Sequence, residues 1–392
     1  MKILLLAPQP FFEVRGTPIN VRLMANALSE MGHQVDLMVY PHGQDISITN
    51  VAIRRILKIP GLPKAPIGPS ITKIINDAVM LPQAAWALAA RRYDAIHGVE
   101  EAGIMAWMLA KAFRVPYIFD MDSHMTDQLR YSGFLGNRLV LGVVERLEAA
   151  AIRGAASVIT VCPYLTDVAK KYTSPEKVHQ IEDIPQQFPP PPDGMTPASL
   201  RAELDIPPGA KVILYTGNLE KYQGVDLALE AMEEVVKSIN DVALVAAGGS
   251  AGQVEGYRAK ARGMGLEEHV FFTGSRPLAH MPAFHDMADI LLSPRLGGTN
   301  TPLKVYTYLA TGKPLVATDL PTHTQLLTNR TALLAKPEKM EYSAAILLLL
   351  KDESLSKELG LRGRLFVEKG FNHESFRKKM ESAYMAVNQR TG

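Results

Sequence analysis

The chain has 392 residues, of which 47% are apolar and 21% are charged, so it is long enough for two domains with buried cores. The formal net charge of +2 gives no electrostatic reason to expect nucleic acid as a partner. The single cysteine, Cys162, excludes an internal disulfide, and no Cys/His spacing is typical of zinc. We therefore expect a cytoplasmic protein without a bound metal.

The first part of the chain alternates short apolar runs with helical patterns. The run at 3–7 ends at Pro8, which favours a buried parallel strand over a signal peptide. A helix beginning near Ile19 is expected to end before Gly32. Further strands are predicted at 35–40, 95–96, 117–119 and 158–161, with helices at 102–112 and 165–172. This alternation predicts a doubly wound α/β domain over residues 1–185.

The same pattern restarts after a segment rich in proline. Residues 186–197 are predicted to be a stiff linker, because proline removes backbone donors and disfavours helix. Beyond it, strands are predicted at 212–215, 242–246, 270–273, 290–293 and 315–317. Helical patterns at 225–236, 344–350 and 375–387 accompany them. The sequence thus predicts a second Rossmann-like domain over residues 198–370.

Three loops of the second domain have the character of anion sites. They follow predicted strands and cover residues 215–224, 274–276 and 293–304. Ligands of open parallel sheets bind at the carboxyl ends of the strands, where helix N-termini offer unpaired N–H groups. A glycine loop after a strand is more often structural, but the order of these three loops favours a binding role.

Several segments, taken in order, resemble glycosyltransferase family 4, which comprises retaining enzymes of the GT-B fold. The second-domain segments are 217–227, 246–249, 266–274 and 303–318; those of the first domain are Gly16, 93–97 and 114–116. The resemblance covers nearly the whole chain. It implies two Rossmann-like domains with parallel sheets facing across a cleft, and a C-terminal helix, 371–392, that packs back on the first domain.

The sequence departs from the family at charged positions. Asn218 and Gln223 stand where the family has arginine and lysine in its diphosphate loop. Thr299 and Thr307 stand where the family has paired glutamates, and the second of these normally contacts the ribose. Asp122 occupies the place of a first-domain histidine near the donor sugar.

The resemblance implies a nucleoside diphosphate sugar, with UDP or GDP, as the donor. A diphosphate leaving group needs cations or helix amides, and Lys304, near a helix start, is the first candidate. Arg295, Arg276, Lys221 and Arg15 are weaker candidates. The donor-binding residues are predicted to be Gly16, Thr17, Gly217, Asn218, Gln223, Gly274, Arg276, Arg295, Thr299, Asn300, Thr301, Pro302, Leu303 and Thr307.

Three residues of the first domain are candidates for contact with the reacting groups. His97 ends a predicted strand and is expected either to face the cleft or to be a core histidine. Asp120 and Asp122 lie at the end of the next strand, where they orient a hydroxyl or cap the following helix. With Lys304, these residues form the predicted catalytic set. Because Asp120 and Asp122 lie on the acceptor side, we do not expect a metal to be required.

The sequence therefore predicts a retaining transferase of a hexose-type sugar to a hydroxyl acceptor, which is a glycan, a lipid or a small molecule. Residues 56–90 are either a peripheral membrane contact at the inner face of the membrane or an ordinary acceptor-side loop and helix. The rivals are a sugar-nucleotide epimerase or a phosphorylase on the same fold, and a non-catalytic protein that binds sugar nucleotides or glycans. A nicotinamide dehydrogenase is disfavoured, because no G-x-G-x-x-G follows the first strand.

Overall fold

The computed structural model describes residues 1–13, 16–66, 68–134 and 136–388. The chain forms two compact units, the first made of Met1–Asp183 and His373–Gly392 and the second of Ile184–Asn372. The first unit is therefore discontinuous in sequence, because the last helix packs with the N-terminal part of the chain.

Each unit contains one β-sheet. The strands of the first unit are β1 (Lys2–Ala7), β2 (Gln34–Val39), β3 (Val51–Arg55), β4 (Ala95–Val99), β5 (Tyr117–Met121), β6 (Ser157–Thr160) and β7 (Val178–Gln180). Those of the second are β8 (Lys211–Thr216), β9 (Val242–Ala247), β10 (Val270–Gly274), β11 (Ile290–Ser293), β12 (Leu315–Thr318) and β13 (Leu333–Ala335). The strand orders are β3-β2-β1-β4-β5-β6-β7 and β10-β9-β8-β11-β12-β13, and neighbouring strands are parallel.

Helices cover the sheets and connect successive strands. In the first unit they are α1 (Gly16–Glu30), α2 (Ile71–Ala90), α3 (Ala102–Phe113), α4 (Met125–Ser132), α5 (Arg138–Gly154), α6 (Pro163–Lys170) and the last helix, α15 (His373–Asn388). In the second they are α7 (Pro197–Glu203), α8 (Val225–Ser238), α9 (Ala251–Gly263), α10 (Met281–Met287), α11 (Leu303–Ala310), α12 (Pro321–Thr324), α13 (Lys339–Lys351) and α14 (Glu353–Gly370). Strand, helix and strand alternate along most of the chain, which is the doubly wound pattern predicted from the sequence.

Every strand expected from the sequence is present, and the structure adds β3, β7 and β13 at the sheet edges. The inner strands are continuous apolar runs because both faces are covered; β1 and β9, for example, are buried along almost their whole length. The added edge strands are shorter or only partly buried, which is why their apolar signal is weak.

The strand order fixes where each sheet can hold a ligand. The order reverses between β1 and β4 in the first unit and between β8 and β11 in the second. Loops leaving two such strands run in opposite directions and open a crevice beyond the carboxyl ends, where open α/β sheets bind their ligands. The residues that follow β8 and β11, and those that follow β1 and β4, therefore lie at the two switch points.

The segment expected to be a linker, 186–197, packs against the second unit. The backbone N–H of Gln186 donates to Thr307 Oγ1 at 3.0 Å, and the Phe188 ring lies 5.5 Å from that of His285. Residues 181–192 contain no helix or strand, as the prolines require, and α7 begins at Pro197. The second compact unit consequently begins at Ile184, before the boundary expected from composition.

Candidate active site

The loops at the second switch point interlock through glycines. A Cβ on Gly224 would lie 1.8 Å from the carbonyl oxygen of Pro294, and one on Gly248 would lie 1.9 Å from that of Gly217. Gly224 has φ +74 and directly precedes α8, so both the contact and the backbone conformation require glycine. These glycines shape the loops after β8, β9 and β11 into one surface.

Lys304 lies in the first turn of α11, beside the loop that follows β8. Its Nζ donates to Gln223 Oε1 at 3.2 Å and lies 3.9 Å from the centroid of the Tyr215 ring. A Cβ on Gly217 would be 3.0 Å from the same Nζ. Burial, followed by the charge of Arg295, lowers the pKa of Lys304 well below its usual range. Within the described part of the chain no carboxylate pairs with Lys304, so an anionic ligand at this position would stabilise its ammonium form.

Arg295 follows β11 and is buried within its own loop. Its Nε donates to the carbonyl of Gly297 at 2.6 Å, and its Nη2 donates to Asn300 Oδ1 at 2.9 Å. The guanidinium also lies over the Tyr222 ring, 5.4 Å from the centroid. The second predicted cation is thus held in place by the glycine-rich loop, and its charge acts on Lys304.

The remaining residues of this loop lead into α11. The carbonyl of Thr299 accepts from Gln325 Nε2 at 3.0 Å, and Pro302 precedes Leu303, the first residue of the helix. Thr301 is 3% exposed and its Oγ1 has no hydrogen-bond partner among the described residues. Thr307 is also buried, and its hydroxyl accepts the N–H of Gln186.

Other predicted donor residues are engaged with neighbouring protein groups. Arg276 Nη2 pairs with Glu203 Oε1 at 2.5 Å, so this cation is already neutralised by α7. Asn218 Oδ1 accepts the N–H of Glu220 at 3.2 Å, and the carbonyl of Gly274 accepts the N–H of Gly248 at 2.9 Å. Of the predicted cations that the structure describes, Lys221 is exposed, whereas Arg295 is buried and Lys304 is partly buried among these loops.

Sequence reasoning missed the aromatic and histidine residues beneath the loops. Tyr308 Oη accepts the N–H of Thr216 at 2.6 Å, which joins α11 to the end of β8. His323 lies buried in α12 with Nε2 2.8 Å from Ser293 Oγ. Burial and the charge of Arg295 lower the pKa of His323 to about 3, so it is neutral. The sequence offered one signal of the contact with Tyr308: Thr216 is the last residue of a strand and directly precedes a glycine loop.

The first switch point has the opposite character. Gly16 and Thr17 begin α1, whereas Arg15 lies outside the described residues. Asp122, just beyond β5, is buried and its Oδ1 accepts from Asn20 Nδ2 at 2.9 Å. Burial, then the charges of Asp120 and Glu100, raise the pKa of Asp122 well above its usual range.

His97 and Asp120 lie inside the first unit rather than at an open surface. Both are completely buried; His97 Nδ1 is 2.6 Å from the Tyr384 hydroxyl of α15, and its Nε2 is 3.4 Å from Asp120 Oδ2. The expectation that His97 faces a cleft is not supported, because α15 covers it; the geometry is that of a core histidine. Asp120 Oδ1 has no partner among the described residues.

Further carboxylates surround this switch point. Glu100 and Glu101 follow β4, and Lys73 Nζ of α2 lies 4.0 and 2.5 Å from them. Burial, then the charge of Glu101, raises the pKa of Asp77 to about 8. Burial, then the charge of Asp120, raises the pKa of the partly buried Asp183 to about 7. Among the described residues, acidic groups therefore outnumber cations at this edge of the first sheet.

Each unit matches a known sequence family. Residues 198–366 match the glycosyl transferases group 1, and residues 15–182 match the glycosyl transferase 4-like domain. The phosphatidyl-myo-inositol mannosyltransferase of Mycobacterium leprae is 24% identical over 91% of this chain and 89% of its own length. The alpha-monoglucosyldiacylglycerol synthase of Streptococcus pneumoniae is 21% identical over 84% of this chain and 74% of its own.

Solved structures share the fold. Sucrose-phosphate synthase from Thermosynechococcus elongatus superposes with a TM-score of 0.77 at 21% identity, covering 99% of both chains. HepE from Anabaena in complex with UDP superposes with a TM-score of 0.71 at 15% identity, covering 97% of this chain and 98% of its own. The two Rossmann-like units with parallel sheets have the GT-B fold. The chain belongs to glycosyltransferase family 4.

Proposed function

We propose that this glycosyltransferase transfers a hexose-type sugar from a nucleoside diphosphate sugar to a hydroxyl acceptor, with retention of the anomeric configuration. The donor diphosphate is bound by the second unit, at Gly217, Gln223 and Lys304. The observation that carries this proposal is the position of Lys304: a partly buried cation at the switch point of the second sheet, beside a glycine loop and without a carboxylate partner among the described residues.

The diphosphate accounts for a cation placed in this way. Burial and Arg295 both disfavour the ammonium form of Lys304, and a bound diphosphate compensates by adding negative charge. The amides at the start of α11 and α8 add hydrogen-bond donors for phosphate oxygens. Donors fixed where charge develops stabilise a leaving group most effectively, because they need no reorganisation during the reaction.

The transfer step requires no carboxylate nucleophile. The acceptor oxygen attacks the anomeric carbon from the face that the diphosphate leaves, and the bond between that carbon and the phosphate oxygen breaks. The departing phosphate oxygen takes the acceptor proton. Lys304 stabilises the charge of the diphosphate as it grows, which is an interaction made more strongly in the transition state than with the bound donor.

The relatives suggest the acceptor and donor classes. Those named above are a phosphatidyl-myo-inositol mannosyltransferase and a diacylglycerol glycolipid synthase, both by name enzymes of lipid acceptors. Another relative is named as dependent on GDP-mannose, whereas HepE was crystallised with UDP. We therefore propose a lipid or cyclitol hydroxyl as the acceptor and a UDP- or GDP-sugar as the donor.

A donor screen tests the proposal. UDP- and GDP-linked glucose and mannose are incubated with the purified protein and a membrane lipid extract, and release of nucleoside diphosphate is measured. We expect one donor to turn over, with a product whose anomeric configuration matches that of the donor when analysed by nuclear magnetic resonance. Inversion at the anomeric carbon would contradict the retaining mechanism, and phosphate-dependent turnover would indicate a phosphorylase.

We also propose that turnover needs no divalent metal. Asp120 Oδ2 lies 3.4 Å from His97 Nε2 and Asp122 Oδ1 accepts from Asn20, and in the described parts of the chain no group of three or more His, Cys, Asp or Glu residues is arranged to hold a metal ion. An excess of chelator should leave the rate unchanged. If magnesium or manganese restored a rate that the chelator had abolished, the metal-independent mechanism would be wrong.

Residues 56–90 are proposed as a peripheral membrane contact. Leu57, Ile71, Ile74 and Trp86 are exposed by 71, 66, 49 and 74%, and the exposed lysines Lys58 and Lys64 lie in the same segment. Among the described helices, none has the length and apolar character required to span a bilayer. We expect sedimentation with anionic vesicles that is reduced in Trp86→Ser; equal sedimentation of both proteins would contradict this contact.

The non-catalytic alternative has one specific observation in its favour. Thr307 replaces the family glutamate that contacts the ribose, and its hydroxyl is already bonded to the backbone of Gln186. Such a protein would bind nucleotide sugars without releasing nucleoside diphosphate. Calorimetric binding of a donor, combined with the absence of turnover against every acceptor in the extract, would favour this alternative.

A further inference from the structure

We propose that Tyr215 is a positioning residue that holds two parts of the donor site at once. Its ring fixes the ammonium group of Lys304, and its hydroxyl fixes the glycine loop that follows β8. The inference rests on the proposed contact between Lys304 and the donor diphosphate. Tyr215 itself touches no reacting atom and acts through Lys304 and the loop.

The geometry places Tyr215 beneath both groups. The residue is the second-last of β8 and is 1% exposed. Lys304 Nζ lies 3.9 Å from the centroid of its ring, well within the range of a cation–π contact. Its hydroxyl donates to the carbonyl of Asn218 at 2.5 Å. One side chain therefore reaches the start of α11 and the loop after β8.

The ring has an electrostatic role that an aliphatic side chain could not take. The face of an aromatic ring carries partial negative charge and so favours the ammonium form over the neutral amine. Burial and the charge of Arg295 act in the opposite direction on Lys304. His323, nearby, is neutral and adds no positive charge, and Gln223 contributes one carbonyl oxygen. Tyr215 is thus the principal aromatic support for the charged lysine.

The hydroxyl couples this support to the loop. A Cβ on Gly217 would lie 3.0 Å from Lys304 Nζ and 3.2 Å from the Tyr215 hydroxyl, so the three groups are in contact. Holding the Asn218 carbonyl fixes the turn in which Gly217 approaches the ammonium. Because the two contacts use different parts of one side chain, substitutions can separate them.

The experiment measures binding of UDP and of GDP by calorimetry between about pH 6 and 10. Diphosphate binding needs the ammonium form, so affinity falls as the pH rises through the pKa of Lys304. Tyr215→Phe keeps the ring and removes the hydroxyl, and Tyr215→Leu removes both. Tyr257→Phe, which removes a hydroxyl bonded to Asp226 at 3.2 Å, is the matched control.

We expect Tyr215→Leu to weaken nucleotide binding about tenfold at neutral pH and to move the alkaline decline down by about one pH unit. Tyr215→Phe should weaken binding less and leave the decline where it is in the wild type. Tyr257→Phe should bind like the wild type. In a Lys304→Met background, Tyr215→Leu should produce no further shift, because the group that titrates is absent.

A second series of variants tests the same role if Tyr215→Leu does not fold. Phenylalanines carrying increasing numbers of fluorine atoms, introduced at position 215, remove ring charge with little change in size. Affinity should fall steadily along this series in the presence of Lys304 and stay flat in Lys304→Met. If nucleotide affinity stays constant along the series with Lys304 present, the role of Tyr215 is wrong, whereas the proposed donor site is unaffected. Nucleotide binding that is indifferent to Lys304→Met overturns the proposed donor site as well.

Discussion

At the carboxyl edge of the second sheet, Lys304 and Arg295 lie together, and no carboxylate of the described residues pairs with Lys304. At the same edge of the first sheet, the charges of Glu100 and Asp183 act with burial to raise the pKa of Asp122. The two sheets have the same order about their first strand, so topology does not cause this difference. It comes from the residues placed on equivalent loops.

The contrast shows how one scaffold can serve two ligands of different charge. Burial acts on both clusters, lowering the pKa of a lysine and raising those of carboxylic acids. We propose that the diphosphate is bound at the basic switch point, where its charge is compensated. An uncharged hydroxyl is compatible with the acidic switch point, so we also propose that the first unit binds the acceptor.

The largest expected effect is the loss of charge at the basic switch point. Lys304→Met keeps the aliphatic stem, so the melting temperature should change little, whereas turnover should fall roughly ten- to hundredfold. Lys211→Met is a matched control. Lys211 is the first residue of β8, at the end of the strand away from the donor site, and it pairs with Asp289 on the surface. Turnover and melting temperature of both variants are to be measured together. Wild-type turnover in Lys304→Met would transfer the role to Arg295.

An intermediate effect is expected at the acidic switch point. The pKa of Asp183 is raised to about 7, so between about pH 4 and 7 the folded state holds a proton that the unfolded state has lost. The stability associated with this proton is present below about pH 4 and disappears as the pH rises to about 7. Asp183→Asn should therefore be more stable than the wild type at about pH 8, by roughly 1–3 kcal/mol, and nearly equal at about pH 4. Denaturant unfolding at both pH values checks this.

The residual dependence on pH in Asp183→Asn identifies the other members of the cluster. Asp77 and Asp122 also have raised pKa values, so part of the loss of stability at high pH should remain. If Asp183→Asn followed the wild-type curve at every pH, Asp183 would be ionised in the folded protein. The contrast between the two switch points would then rest on fewer carboxylates.

The smallest effect is expected at Thr307, which stands where the family has a glutamate. Thr307→Val removes the acceptor of the Gln186 N–H and should lower the free energy of unfolding by about 1 kcal/mol. Thr324→Val, at an exposed site in α12, is the control and should change stability by less. The Michaelis constant for the donor separates the two roles of Thr307. An increase in Thr307→Val without loss of stability would mean that the hydroxyl contacts the donor rather than the backbone.

How far the sequence predicts the fold depends on what each element buries. The runs that became β1 and β8 are apolar throughout, so their burial was visible in the sequence. Helix α14 was missed because part of its buried face is glycine: Gly360 packs on the carbonyl of Gly312, and Gly363 on Leu309. Close packing of a helix through glycine leaves no periodic apolar pattern to detect.

In the candidate site, too, only the residues that a local sequence pattern marks could be predicted. Lys304 could be found because its motif places it at a helix start after a glycine-rich loop. The roles of Tyr215 and Tyr308 depend on contacts between segments far apart in sequence, such as the one between Thr216 and Tyr308. The two alternatives for His97 could not be separated from the sequence for that reason: its partner, Tyr384, lies 287 residues away. Partners at such distances leave no local pattern.

The position of α15 has a consequence for how the chain is made. Phe376, Met380, Tyr384 and Val387 are buried in the unit that also contains β1. That unit cannot complete its core until α15 has been synthesised, whereas every residue of the unit formed by Ile184–Asn372 precedes α15 in the chain. A chain truncated just before α15 therefore contains every residue of the second unit, joined to a first unit whose core histidine lacks its tyrosine.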